Sequence, residues 1–415
     1  MSGRAPLDLV LENVLVPRSL LRDASGFGGV PEQECLAGDL VICDGLVRGL
    51  EARADTTGAQ GIVMPLLSEC HVHLDKCHTI SRMGGVGGDL RAAIDAQRMD
   101  RALWTPEDLR QRAERGLGEL IGAGCGTVRS HVDWSAEEEA TTPPVAWHVL
   151  TELAQDYADR VQMQVAPLTN TTDLADPDRA DAIGRIIAER NGVLGLFVLD
   201  QPDRQAGVAA AFRVADKYGL ALDFHVDEGL APGLDGLEII ADTALKTGFQ
   251  GPILCGHACS LMNRTGDDLQ RLLEKLARAG ITVASLPSSN LYLQGRGDGA
   301  PDRRGLTRIR ELQAAGVPVA VGTDNVRDAF CPLGRHDPRH SLALAALAAH
   351  LDPPFGDYLP MITTNAQTGL GLAPLFVDGA AIGDLLLFDA TSTADLLAGG
   401  SAPRPLAAVV KGETS

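Results

Sequence analysis

Two patterns of residues alternate along the middle of the chain. Short apolar runs rich in valine, isoleucine and leucine are separated by longer stretches whose apolar positions follow helical spacing, among them residues 105–124, 179–192 and 267–280. Several of these stretches open with Thr or Asp and close at Gly, as capped helices do. The alternation is typical of βα units around a parallel sheet.

The apolar runs can be counted, and the number predicts a fold. They cover residues 61–75, 126–133, 161–169, 195–200, 220–228, 252–258, 281–289 and 317–325. Eight strands, each followed by a helix, are the elements of a (β/α)8 barrel. The sequence therefore predicts the α/β class and a TIM-type barrel over residues 63–372.

Both ends of the chain depart from the barrel pattern. Residues 7–16, 38–50, 381–389 and 405–412 alternate like antiparallel strands. The simplest arrangement is a small β-sandwich built from both termini, residues 1–62 and 373–415, with the barrel inserted between them.

Composition and charge narrow the class of partner. The formal net charge of −19 repels nucleic-acid backbones and anionic lipid surfaces, so neither a nucleic-acid polymer nor a membrane is expected as a partner. We see no secretory signal and no apolar stretch long enough to span a bilayer, so a cytoplasmic enzyme is expected. The eight cysteines form no CxxC pair, which argues against zinc-ribbon and thioredoxin-type sites.

Polar residues with catalytic chemistry gather at the C-terminal ends of five predicted strands, the face on which TIM barrels build active sites. They are His71, His73, His131, His225, Glu228, His257, Asp324 and Asn325. One histidine at a strand end is more often a hydrogen-bonded structural residue. Five strands with the same feature indicate a shared site.

The densest stretch is SECHVHLDKCHT, residues 68–79. His71 and His73 are two residues apart on a strand, so their side chains project from the same face. Zinc or ferrous iron usually takes four ligands of the His and carboxylate type, so this pair supplies half a site. Candidates for the other two ligands are His225 and Asp324.

The whole pattern, an HxH on strand one, His on strands five and six and Asp on strand eight, resembles the amidohydrolase superfamily. SECHVHLD, VRSHVDWS, FHVDE, CGHA, NLYLQGR, RRGLTRIREL and GTDNVRD are similar to its bacterial cytosine deaminase branch. The resemblance implies a homo-oligomer in which Glu228 moves protons and His257 orients the metal-bound water. It makes the metal ligands His71, His73, His225 and Asp324.

The number of metal ions expected depends on whether a bridging lysine is present. Many relatives hold a second metal through a lysine at the end of strand four, and the corresponding segment here, GLFVLDQPD, has none. One divalent ion, Zn²⁺ or Fe²⁺, is therefore expected.

The chemistry fits these residue types without the resemblance. A divalent cation lowers the pKa of a bound water to about 7. Asp324 can accept the water's proton, His257 can hydrogen-bond the hydroxide, and Glu228 can protonate the leaving amine. We expect a metal-dependent hydrolytic deaminase of a small nitrogen heterocycle, similar to cytosine, isocytosine or a triazine, that releases ammonia.

The substrate-binding residues are harder to predict. Lys76, which follows HLD, resembles the N-isopropylammelide aminohydrolase-like branch; it either anchors a carbonyl or anionic group of the substrate or pairs with Asp75. The glutamine that reads cytosine's amide edge in the family is not at the matching position, which puts cytosine in doubt. The polar residues expected to face the substrate are Thr169, Asn170, Gln294 and Asn325.

Two alternatives stay open within the enzymes: release of an alkylamine, and hydrolysis of a cyclic amide, which usually needs the bridging lysine. A metal-binding barrel without catalysis is a third reading. Loss of Glu228 or His257 is expected of such a barrel, and both residues are present.

Overall fold

Strands and helices alternate through most of the chain in a computed structural model, which describes residues 9–84, 86–134, 141–297, 299–300, 302–400 and 402–412. The strands are β1 (Leu9–Pro17), β2 (Val30–Glu32), β3 (Cys35–Cys43), β4 (Leu46–Glu51), β5 (Ile62–Pro65), β6 (Leu67–Val72), β7 (Cys125–Asp133), β8 (Gln162–Asn170), β9 (Leu194–Val198), β10 (Leu222–Val226), β11 (Ile253–His257), β12 (Thr282–Ser285), β13 (Val319–Val321), β14 (Leu385–Phe388) and β15 (Arg404–Pro405). The helices are α1 (Leu90–Arg101), α2 (Pro106–Gly122), α3 (Val145–Asp156), α4 (Thr171–Ala175), α5 (Pro177–Ala188), α6 (Arg204–Tyr218), α7 (Gly236–Thr247), α8 (Gly266–Arg278), α9 (Pro287–Leu293), α10 (Ile309–Ala314), α11 (Pro338–Ala349), α12 (Thr364–Gly369), α13 (Thr393–Ala398) and α14 (Leu406–Lys411).

Strands β6 to β13 form one parallel sheet in chain order. The sheet closes on itself through a parallel bridge between Val72 and Asp324, where the amide of Asp324 donates to the carbonyl of His71 at 2.8 Å. The predicted α/β barrel is confirmed. Its closing bridge lies at the strand ends that carry the predicted site.

The strands near both ends of the chain form a separate seven-stranded sheet, as the terminal patterns predicted. Here β5 lies between β1 and β14, so the beginning and the end of the described chain meet in the same sheet. Residues 7 and 8 of the first predicted strand lie outside the described residues.

Two details of the sequence interpretation need correction. The run 61–75 holds two strands, β5 in the terminal sheet and β6 in the barrel, with the change of sheet at Leu66. Both strands are fully buried, so their apolar pattern shows no break. Residues 405–412 were expected as a strand, but α14 begins after Pro405 and ends at the left-handed Gly412. The limits of the two predicted domains stay a prediction.

Helix α1 follows the first barrel strand and packs on a small apolar cluster separate from the main core. Leu90 and Ala93 of α1 pack in this cluster with Leu293, Ala329 and Phe330.

Within the described part of the chain, no helix is both long and apolar enough to cross a bilayer.

Candidate active site

The four predicted metal ligands lie together at the C-terminal ends of β6 and β10 and just after β13. The Nε2 atoms of His73 and His225 are 3.0 Å apart, and Asp324 Oδ1 lies 3.4 Å from His73 Nε2 and 3.6 Å from His71 Nε2. All four side chains are buried. Both nitrogens of His71 and both oxygens of Asp324 have no hydrogen-bond partner among the described residues.

This donor set fits a divalent cation. Burial, together with neighbouring imidazoles, holds the pKa of His71 and His225 well below its usual value, so their rings are neutral and can donate lone pairs. Imidazole and carboxylate donors separated by these distances suit metal bonds of about 2.0–2.2 Å. Unpartnered polar atoms in a buried site are costly unless a ligand satisfies them. Their assignment as ligands stays a prediction.

His131 belongs to the same cluster, although the sequence suggested no role for it beyond its strand end. Its ring centroid lies 4.0 Å from that of His71 and 4.5 Å from that of His225. Its Nε2 is 2.9 Å from Asp223 Oδ1, and Asp223 Oδ2 accepts a hydrogen bond from the buried Arg129 at 2.8 Å. An ion pair beneath the predicted metal ligands therefore orients His131.

Glu69 was also missed by sequence reasoning. Its fully buried carboxylate accepts hydrogen bonds from the amides of His71, at 2.9 Å, and Thr323, at 3.1 Å. Burial raises the pKa of Glu69 to about 8. Glu69 ties the first and last barrel strands together directly beneath the predicted ligands. The signal in the sequence that could have identified it is a charged residue inside a buried strand.

Glu228 and His257 face each other beside the ligands. His257 Nδ1 lies 3.6 Å from Glu228 Oε1 and 3.0 Å from the amide nitrogen of Asn290. Burial raises the pKa of Glu228 well above its usual value, with Asp324 adding to the effect, which favours the protonated carboxyl group. Burial lowers the pKa of His257 to about 3, so the imidazole is neutral.

Strand-end residues at the site adopt unusual backbone conformations. Asp227, His257 and Asp324 have φ values of 50°, 69° and 56°, in the left-handed region that residues other than glycine rarely occupy. Such conformations concentrate at functional sites because the surrounding structure must enforce them.

A cavity of about 270 Å³ opens onto these groups. Its wall includes His73, His225, Glu228, His257 and Asp324, and helix α1 supplies further wall residues. The apolar part of the wall comprises Leu90, Ile94, Trp134, Leu168, Phe197 and Phe330. Planar aromatic and branched side chains of this kind suit a flat ring.

Four of the five predicted substrate-binding residues line this cavity: Lys76, Thr169, Asn170 and Asn325. The partner of Lys76 Nζ is Asp133 Oδ1, at 2.7 Å, rather than Asp75. Gln294 is not part of the wall, and its amide nitrogen donates to the carbonyl of Glu228 at 3.1 Å. Whether any of the five contacts a substrate stays a prediction.

Comparison with known proteins adds to this geometry. The model of the Amidohydrolase family matches residues 83–373. A pterin deaminase of Rhizobium rhizogenes (strain K84 / ATCC BAA-868) is 32% identical over 94% of this chain and 90% of its own length. An N-isopropylammelide isopropyl amidohydrolase of Pseudomonas sp. (strain ADP) is 20% identical over 68% of each chain. The structure of 5-methylcytosine deaminase from Klebsiella pneumoniae liganded with 5-fluorocytosine superposes with a TM-score of 0.76 at 25% identity, covering 94% of this chain and 93% of that one.

Proposed function

The chain belongs to the amidohydrolase family, and from this premise we propose that it is a metal-dependent hydrolytic deaminase that releases ammonia from a small nitrogen heterocycle. One observation carries the proposal. The Glu228 carboxyl group, whose pKa burial raises, and the neutral imidazole of His257 lie in one cavity with buried His and Asp side chains. Within the described residues, nitrogen and oxygen atoms of this cluster lack hydrogen-bond partners.

His71, His73, His225 and Asp324 would hold one divalent ion, Zn²⁺ or Fe²⁺. A bound divalent cation supplies Lewis acidity, which makes hydroxide available from water at neutral pH. The single ion is supported by β9, which carries no lysine where a bridging ligand would be needed.

The side chains of the chain itself account for the proton transfers. Asp324 takes the proton of the attacking water, and Glu228 donates its carboxyl proton to the ring nitrogen next to the carbon that is attacked. The Glu228 carboxylate then takes the proton of the newly formed hydroxyl group and passes it to the leaving amino group, so the products are ammonia and a carbonyl compound. The proton held by Asp324 finally restores the Glu228 carboxyl group. Neutral His257, held by Asn290, hydrogen-bonds the developing oxyanion.

For the heterocycle we propose a 2-aminopteridine of the pterin type. The relative with 32% identity over nearly the whole chain is a pterin deaminase. The wall formed by Leu90, Ile94, Phe197 and Phe330 can hold a flat bicyclic ring between apolar side chains. Single-ring substrates such as cytosine, isocytosine or a triazine are the next candidates.

Release of an alkylamine is the second candidate reaction, and the similarity to an N-isopropylammelide hydrolase favours it. In that case the same residues would protonate an N-alkyl leaving group. A cyclic amide hydrolase is disfavoured by the strand β9 sequence, which has no lysine.

The proposal is tested by assaying the Zn²⁺- and Fe²⁺-reconstituted protein for ammonia released from pterin, isocytosine, cytosine and ammelide, and for isopropylamine released from N-isopropylammelide. The variants are Glu228→Gln, which should keep the metal and lose activity by about 10²- to 10⁴-fold, and His73→Ala, which should lose both. Matched controls are Glu152→Gln and His148→Ala, both exposed on α3. Isopropylamine without ammonia would establish the second candidate, and full activity of Glu228→Gln would contradict the assigned chemistry.

A further inference from the structure

One polar side chain of helix α1, that of Gln97, lies in the cavity wall without any hydrogen-bond partner among the described residues. Gln97 lies in the cavity wall and is 1% exposed. Neither its amide nitrogen nor its amide oxygen has a hydrogen-bond partner in the described part of the chain. Buried amides in native proteins are nearly always paired, so this one calls for a partner from outside the chain.

The other polar side chains expected to read the substrate already have partners. The Thr169 hydroxyl donates to the carbonyl of Gly195 at 2.6 Å, and the Asn170 amide both donates to and accepts from Asp173. The Asn325 amide nitrogen donates to Asp328 at 2.7 Å. These groups shape the wall, and a substrate would have to compete for them.

The position of Gln97 is held from both ends of the helix. Asp89 caps the first turn of α1 by accepting from the amide of Ala92 at 3.1 Å. Asp100 in the last turn accepts from Arg82 at 2.6 Å and from the Trp104 indole at 2.8 Å. Little further ordering is therefore required of the Gln97 amide when it meets a ligand.

We propose that Gln97 determines substrate specificity by hydrogen-bonding a ring edge that carries a neighbouring donor and acceptor, the N–H and C=O of a lactam. A carboxamide offers one acceptor and two donors side by side, the complement of such an edge. The proposal rests on the proposed function, because it assigns a further substrate-binding residue to the same site. Gln97 would take the place of the glutamine that reads the amide edge in the family, which is not at the matching position of this chain.

The consequence is selectivity against rings without that edge. A site built to hydrogen-bond a polar edge discriminates strongly against analogues that leave its buried groups unpaired. Pterin has the lactam edge, and 2-aminopteridine is the same ring system without the oxo group. Their relative kcat/KM therefore reports on Gln97 while the reacting amino group stays the same.

The experiment compares pterin with 2-aminopteridine in the wild type, Gln97→Met and Gln97→Glu, all loaded with metal and checked for metal content. Gln97→Met should lower kcat/KM for pterin by about 10- to 100-fold while that for 2-aminopteridine changes by less than about threefold. Gln97→Glu, which keeps an acceptor oxygen but loses the NH₂ group, should lose part of the preference. Gln111→Glu, exposed on α2, is the control and should keep the wild-type ratio.

An equal loss for both substrates in Gln97→Met would overturn the proposal, because a structural role lowers both activities together. Binding of the two pteridines, followed by their fluorescence, is measured in parallel. If the wild type binds pterin but releases ammonia from none of the heterocycles tested, a ratio of dissociation constants that depends on Gln97 supports the proposal for Gln97, and the deaminase proposal fails. If ammonia comes from another heterocycle and Gln97→Met leaves that reaction unchanged, the deaminase stands and the proposal for Gln97 is wrong.

Discussion

Replacing Arg129 with methionine tests the ion pair that lies beneath the predicted metal ligands. The Arg129 side chain is fully buried; it donates to Asp223 at 2.8 Å, to Gln164 at 2.7 Å and to the carbonyl of Leu370 at 3.0 Å. Methionine fills similar space but leaves the Asp223 carboxylate buried without its cation. Breaking a buried pair in this way costs about 3–5 kcal/mol.

This cost converts into a change of melting temperature. An unfolding entropy of about 2.1 cal/mol/K per residue gives about 0.9 kcal/mol/K for 415 residues. Arg129→Met should therefore lower the Tm by roughly 3–6 °C, measured by calorimetry at saturating metal and a fixed scan rate. Adding Asp223→Asn removes the stranded charge and should restore about 1 °C or more.

The control is Arg271→Met, because the Arg271 side chain is 66% exposed and its pair with Asp268 contributes little. The reasoning is refuted if Arg129→Met melts within about 1 °C of the wild type, or if the double variant is no more stable than the single one.

Three further predictions concern the metal site and acid stability. A Cβ at Gly256 would lie 2.8 Å from His71 Cε1 and would push this predicted ligand aside, so Gly256→Ala should lose metal to a chelator sooner than the wild type. The control is Gly118→Ala, whose Cβ would have no atom within 4 Å and which should lose metal at the wild-type rate. Metal at a hundredfold excess over its Kd should stabilise the folded protein by about 2.7 kcal/mol. Removing the metal should therefore lower the Tm by about 3 °C. An unchanged Tm would contradict a metal site formed only in the folded state. Burial lowers the pKa of His78 from 6.5 to about 4, so the unfolded chain binds this proton first and stability should fall as the pH drops from 6.5 towards 4. His78→Asn should flatten that part of a Tm-against-pH curve, and an equally steep curve would exclude His78 as a cause.

The sequence predicted the ligand cluster because its residues obey simple geometric rules. His71 and His73 share a face through the two-residue period of a strand. His225 and Asp324 end their own strands, and parallel strand ends meet at one face of a barrel. The same rules predicted the barrel, but they could not separate β5 from β6, because burial on both faces leaves the same apolar run in either sheet.

The sequence did not point to Gln97, for a physical reason. Thr169 and Asn325 are polar residues at strand ends, yet their hydrogen bonds are made within the chain. Gln97 sits on a helix whose spacing is ordinary, and only the packing of α1 over the barrel brings it to the cavity. Which buried polar group lacks a partner depends on tertiary structure, and no motif reports it.

The terminal sheet has a consequence for how the protein is made. Leu385 of β14 pairs with Pro65 of β5, a neighbour about 320 residues earlier in the chain. During synthesis the edge of β5 that pairs with β14 stays unpaired until β14 has left the ribosome, because β14 is translated after the barrel. Closing so long a loop is slow, and an exposed strand edge is open to wrong partners in the meantime. Nascent chains should therefore depend on chaperones until β14 emerges.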